Sequence, residues 1–308
     1  MDAMNQPTEL HPTGTPCRLC AAGFAPRRRL FTAALLGGGA LAGLPAWARE
    51  GVDVGKKSVF TKVVSADQIE TAARQQYQQL TNQAAQTGKL VPAGHPQAVR
   101  LRAIAQRIIP HTYEWNERAR QWKWEVSLLA DPQLNAFCMP GGKIAFYYGI
   151  LQQLKLEDDE VAMIMGHEAA HALREHARER MGKTMATRGV VEIGAAIFGL
   201  GNLGRTFAGM GEQLLKLTFS RADESEADLI GIDLAARAGY DPHAGVTLWQ
   251  KMAQAAKGAP PQFLSTHPSG PTRIRDIEAN LPKVAPLYAR ADKPTQRFEI
   301  APPLKSAG

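Results

Sequence analysis

Two histidines and a glutamate stand close together in the run Gly166-His167-Glu168-Ala169-Ala170-His171. Residues four apart share one face of a helix and lie one turn from each other. Two imidazoles so placed can reach a single zinc ion at about 2.0–2.1 Å each. Glu168, next to the first of them, can reach a water at the metal and take its proton, which zinc makes easier to remove. The chemistry that this spacing suits is hydrolysis. The run is flanked by the apolar residues Ile164 and Leu173, which sets it in a helix interior better than on a solvated charged face.

A catalytic zinc takes three protein ligands and keeps one position open. The pattern HExxHxxGxxH would need a glycine at 174 and a histidine at 177, where the chain has Arg174 and Ala177. The inverted HxxEH pattern fails as well, because three residues separate His171 from Glu175. What remains is a carboxylate from a later helix. The run Ser220-Arg221-Ala222-Asp223-Glu224-Ser225-Glu226-Ala227-Asp228 offers one.

Several elements must position these residues. Ser65 with Gln68 three later is a capping-box pattern that opens a polar helix to about Gln86. His95-Pro96 starts a second helix that stops before Pro110. Trp122, Trp124, Val126 and Leu128 alternate with polar residues, as in a half-buried strand. Leu134–Cys138 and Ile144–Tyr148 read as two further strands around the turn Pro140-Gly141-Gly142, giving a small, mainly antiparallel sheet. The motif helix starts with Asp158 as its N-cap and runs to Gly182. Residues 189–211 are rich in glycine and apolar side chains and read as a buried helix, a lid or a surface touching lipid. Further helices cover about Glu212–Arg237 and Gly245–Ala256. After Leu281 come Pro282, Pro286, Pro294, Pro302 and Pro303, so 282–308 is expected to be an extended tail.

The whole chain has 308 residues, 44% apolar and 21% charged, with a net charge of +7. No dense Lys/Arg patch interleaved with aromatics occurs beyond the N-terminus, so no nucleic-acid partner is expected. Residues 1–48 read as a targeting segment. Arg27, Arg28 and Arg29 precede Leu30 and Phe31 in a twin-arginine-like pattern, an apolar stretch runs from Thr32 to Leu44, and Ala46-Trp47-Ala48 is a cleavage pattern. This predicts export to the periplasm, or else an N-terminal anchor in the inner membrane. Cleavage would remove Cys17 and Cys20 and leave Cys138 without a disulfide partner.

Glu224-x-x-Ala227-Asp228, downstream of the histidine motif, resembles the gluzincin family of CAAX-prenyl proteases and the bacterial HtpX-like and BepA-like proteases. The resemblance covers about residues 70–280 and implies an α+β, zincin-like metalloprotease domain, here spanning 49–281, with one zinc per chain. It makes Glu224 the third ligand, and it makes Asp228 the residue that holds a ligand histidine by its outer nitrogen. Glu226 falls on a variable position of the family pattern. Asn135-Ala136-Phe137-Cys138-Met139-Pro140-Gly141-Gly142 is similar to the family's edge-strand segment, so Asn135, Ala136 and Phe137 are expected to pair with an extended substrate. Thr266-His267-Pro268 with Arg273 is similar to its late His-Pro segment. There His267 would either stabilise the oxyanion or take zinc's fourth position, and Arg273 would support the ligand set.

No run of 18 or more apolar residues is present, unlike the membrane-embedded members, and the helical-repeat extension of the BepA-like proteins is missing. The resemblance is thus to the short exported type. The expected activity is cleavage of polypeptides, with misfolded or unassembled envelope proteins as substrates. The rival is a holdase-like or adaptor protein with a latent zinc site. Peripheral membrane contact, if any, would run through 189–211. The sequence leaves the oligomeric state open.

Overall fold

Ser65 precedes the first long helix, α1 (Ala66–Gln86), as its N-cap, but its side chain makes no capping bond, so the expected capping box with Gln68 does not form. The computed structural model describes residues 49–196, 214–257, 261–268 and 272–303, without the side chains of 188–196. The targeting segment 1–48 lies outside the described residues, and so does the glycine-rich stretch from residue 197 to 211.

Helix α1 buries Ile69, Ala73 and Tyr77, four apart along one face. The Tyr77 hydroxyl donates to the Ile144 carbonyl at 2.8 Å and meets Ser127 Oγ at 2.7 Å, which pins the helix to the sheet. In α2 (Pro96–Ile108), proline takes the first turn and the His95 ring accepts from the Gln97 N–H. Leu101, Ile104, Ala105 and Ile108 then form its core face.

Strands β1 (Glu125–Leu129), β2 (Ala136–Met139) and β3 (Lys143–Tyr147) pair in the order β1-β3-β2. β2 and β3 form the expected hairpin, from Ala136↔Phe146 to Met139↔Lys143, across a turn where Gly141 and Gly142 have φ of 84° and 75°. β1 instead runs parallel to β3, from Glu125↔Lys143 to Leu129↔Tyr147. The sheet is therefore mixed, where the sequence reading expected it mainly antiparallel. The β2–β3 hairpin inserts its second strand next to β1, and β2 is left as an edge. Trp122 and Trp124 precede β1 rather than belonging to it, with ring centroids 5.4 Å apart.

A short helix α3 (Tyr148–Gln153) leads to α4 (Asp158–Leu173), which is buried on nearly every side. Its N-cap is Glu157, not Asp158. Glu157 and Glu160 form a capping box, while Asp158 turns inward to the buried Arg100 at 2.6 Å. Helix α4 also stops earlier than expected, at Leu173. Arg174 ends it, Glu175 adopts a left-handed φ of 62°, and α5 (His176–Ala196) starts in a new direction.

Helix α6 (Arg221–Arg237) opens with a capping box between Ser220 and Asp223. It packs against α4 at close range. A Cβ added at Gly231 would lie 3.1 Å from the His167 backbone nitrogen, and one at Gly166 would lie 3.0 Å from the Gly231 carbonyl oxygen. Helix α7 (Ala244–Ala255), the short α8 (Gln262–Thr266) and α9 (Arg273–Arg290) complete the fold.

Helix α9 corrects the expected tail. It continues through Pro282 and Pro286 because Ile277, Leu281, Val284 and Leu287 recur at helical spacing and are all buried. That burial outweighs the lost backbone bonds. Beyond α9 the chain still packs: Ala301 is buried, and the Phe298 N–H donates to Asp158. The α+β class is as expected. Among the described residues, no helix is long and apolar enough to cross a membrane.

Candidate metal centre

His167 and His171 project from the C-terminal half of α4 toward α6, and their Nε2 atoms stand 3.1 Å apart. Two ring nitrogens this close either share a proton in a hydrogen bond or face a common bound ion. Glu224, one turn into α6, supplies carboxylate oxygens 3.5 Å from His167 Nε2 and 3.4 Å from His171 Nε2. His267, just past α8, adds Nδ1 at 3.4 Å from His167 Nε2 and 3.0 Å from Glu224. One donor atom from each of these four buried residues lies within 4.8 Å of the others. The set of three imidazoles and one carboxylate is that of a zinc site.

Glu168 gives a second indication that the residues fit a metal. It is only 2% exposed, yet among the described residues its Oε1 has no hydrogen-bond partner. That oxygen lies 3.4 Å from His267 Nε2, on the cluster's side. A buried carboxylate oxygen left unpaired is costly unless a bound species meets it. The backbone N–H of Cys138 in β2 reaches the same carboxylate and ties it to the edge strand.

Around the donors, Asp228 bonds His167 Nδ1 at 3.0 Å, which fixes the ring so that Nε2 faces the cluster. Arg273 at the start of α9 grips both Asp228 oxygens at 2.6 Å and donates to Glu224 at 2.7 Å. Trp249 donates to Asp228 at 3.3 Å, and the Arg273 guanidinium stacks over its indole at 3.5 Å.

The electrostatics follow from this packing. Burial raises the Glu168 pKa and drives that of His171 well below the ordinary imidazole value. Burial also opposes charge on Glu224 and Asp228. His171, His267 and His167 together outweigh it at Glu224, and Arg273 with His167 outweighs it at Asp228, so both stay below the usual carboxylate range. Burial opposes charge on His267 too, but the Glu168 and Glu224 carboxylates raise its pKa.

The centre opens onto a cleft beside β2. Asn135, Ala136 and Phe137 line it together with Glu168, Phe219 and His267. The structure thus brings together every residue singled out in the sequence. It adds three that the sequence reading passed over. Phe219 stacks on the His171 ring at 3.9 Å between centroids, Trp249 supports Asp228, and His176 meets His171 Nδ1 at 2.9 Å. Phe219 had a visible signal, since it stands two residues before α6. His176 had a misleading one, since a continuous helix would point it elsewhere.

The model of peptidase family M48 matches residues 69–281, most of the chain and every residue of the cluster. The chain belongs to peptidase family M48. Its relatives include the mitochondrial metalloendopeptidase OMA1 of Schizosaccharomyces pombe, 38% identical over 198 residues, which cover 63% of this chain and 56% of that protein. The metalloprotease LoiP of Escherichia coli is 28% identical over 216 residues, covering 70% of this chain and 81% of that one. The beta-barrel assembly-enhancing protease of Yersinia pestis is 29% identical over 179 residues, covering 54% and 36%. This M48 chain therefore spans little more than half the length of the yeast protein.

Proposed function

We propose that this M48 chain is a zinc-dependent endopeptidase, with His167, His171 and Glu224 as ligands and Glu168 as general base. One observation carries the reading. Four buried donor atoms converge beside a buried carboxylate whose Oε1 has no hydrogen bond among the described residues, at the floor of a cleft walled by β2, an edge strand of the described sheet.

Zinc, when bound, supplies a Lewis acid that polarises the scissile carbonyl and makes a water easier to deprotonate. The protein supplies the rest. An extended peptide pairs with the edge of β2 at Asn135, Ala136 and Phe137, which lays its backbone along the cleft. Glu168 takes the proton of the attacking water at Oε1 and returns it to the leaving amine. Asp228 and Arg273 hold His167 and Glu224 in place, so little reorganisation is needed during the reaction. Of the two roles open to His267, its Nδ1 position among the donors favours the fourth ligand over the oxyanion. A substrate would then have to displace it.

On this reading the protein acts in the periplasm, exported by residues 1–48, with misfolded or unassembled envelope proteins as substrates. The twin-arginine-like pattern supports the export, and the beta-barrel assembly-enhancing role named for the Yersinia relative supports the substrate class.

The test compares the wild type with Glu168→Gln. Both should hold one zinc per chain, and unfolded casein should be cut by the wild type alone, and only without chelator. The variant's rate should fall by at least about 10²–10⁴-fold. Equal cutting by both proteins would remove Glu168 from the mechanism. Zinc in both but no cutting by either would favour a holdase-like role. Absence of zinc from the wild type would overturn the metal centre itself.

A further inference from the structure

His176 is 2% exposed and plays no part in the mechanism above. It is the first residue of α5, five past His171. In an unbroken helix, five residues turn about 140° away, onto another face. The chain is not unbroken. Glu175 sits at φ 62°, a left-handed conformation that is unfavourable for a residue with a Cβ. The break swings His176 back until its Nδ1 lies 2.9 Å from His171 Nδ1. On its far side, His176 Nε2 faces Glu226 Oε2 at 3.4 Å. Arg174, the other residue of the break, donates from Nε to that same Glu226 oxygen at 2.7 Å.

Only one assignment of protons satisfies this chain. His171 offers Nε2 to the cluster, so its ring proton sits on Nδ1 and is donated to His176 Nδ1. His176 must then carry its own proton on Nε2, where Glu226 accepts it. The Glu226 carboxylate remains charged beside Arg174. Each ring is thus locked as one tautomer, and each bond points the same way, from the metal site outward.

We propose that His176 and Glu226 are positioning residues for the ligand His171. They fix its tautomer and raise the basicity of its Nε2, as Asp228 does directly for His167. This rests on the reading of His171 as a zinc ligand. It also gives a purpose to the strained Glu175, and to an acidic residue, Glu226, that the family pattern leaves variable. Sites that hold strain tend to be those where a side chain must be re-aimed.

The test measures zinc affinity by competition with a chromophoric chelator and the melting of the metal-free proteins by calorimetry, all on the full chain. His176→Ala should weaken zinc binding about 10–100-fold. His176→Asn, whose carbonyl oxygen can accept from His171 at the place of Nδ1, should recover most of that loss while melting no higher than His176→Ala. Glu226→Gln, at a side chain 30% exposed, should weaken zinc by less and fold normally. A packing role would instead lower melting and affinity together, equally for alanine and asparagine. That result, or unchanged affinity in both His176→Ala and Glu226→Gln, overturns the proposal while leaving the metal centre intact. If His171→Ala binds zinc as the wild type does, the ligand assignment falls and this inference falls with it.

Discussion

At the scale of single residues, Glu168 combines two properties that are usually kept apart. It is almost fully buried, and one of its oxygens has no hydrogen bond among the described residues. Burial disfavours its charged form, so its pKa lies above the ordinary 4.5. In the metal-free protein, a carboxyl NMR titration should therefore place Glu168 above 4.5, its charged form being lost as pH drops through that raised value. A Glu168 that titrates at or below the ordinary carboxylate value would mean that water reaches it. His167, Glu168 and His171 were legible in the sequence because helical spacing alone puts the two histidines on one face. Glu224, Asp228, His267 and Arg273 were legible only through family resemblance. Nothing in their own spacing says that α6, the segment after α8 and the first turn of α9 meet α4. His176 was not legible at all, since its placement depends on a left-handed residue that the sequence does not mark with glycine or asparagine.

At the scale of elements, the centre depends on how closely α4 and α6 approach. Gly166 and Gly231 let the two backbones touch where side chains would separate them. Gly231→Ala offers a clear contest. Helix propensity favours alanine by about 1 kcal/mol. The added Cβ, however, would sit 3.1 Å from the His167 backbone nitrogen, which cannot yield as a flexible side chain would. Overpacking of this kind costs about 1–3 kcal/mol. The expected outcome is net destabilisation, with zinc affinity falling as well, because His167 and Glu224 ride on the two helices being wedged apart. A variant that melts higher and binds zinc normally would show that α4 can yield. The misread elements share one cause. β1 joins the sheet parallel, α4 breaks at Glu175 and α9 runs through two prolines, each because tertiary packing overrides a local signal. The elements with strong local signals, α2 and the β2–β3 hairpin, came out where the sequence put them.

At the scale of the whole molecule, both ends of the described chain are fastened to its centre by buried charges. Arg49 pairs at 2.7 Å with Asp233, which is fully buried and also accepts from the Val52 N–H. At the other end, the Phe298 N–H donates to Asp158, which already pairs with Arg100. Asp158→Ala should destabilise the protein by about 3–5 kcal/mol, because it leaves the Arg100 guanidinium buried without its counter-charge. Equilibrium denaturation would read this directly, and a loss below about 1 kcal/mol would mean that water reaches Arg100. The stretch shared with the M48 family ends at residues 69 and 281, inside both fastenings. The part that looks alike among relatives is thus shorter than the part that folds together. An expression clone trimmed to the homologous boundaries would cut α9 in half and strip partners from two interior aspartates. It should give inclusion bodies rather than a minimal protease.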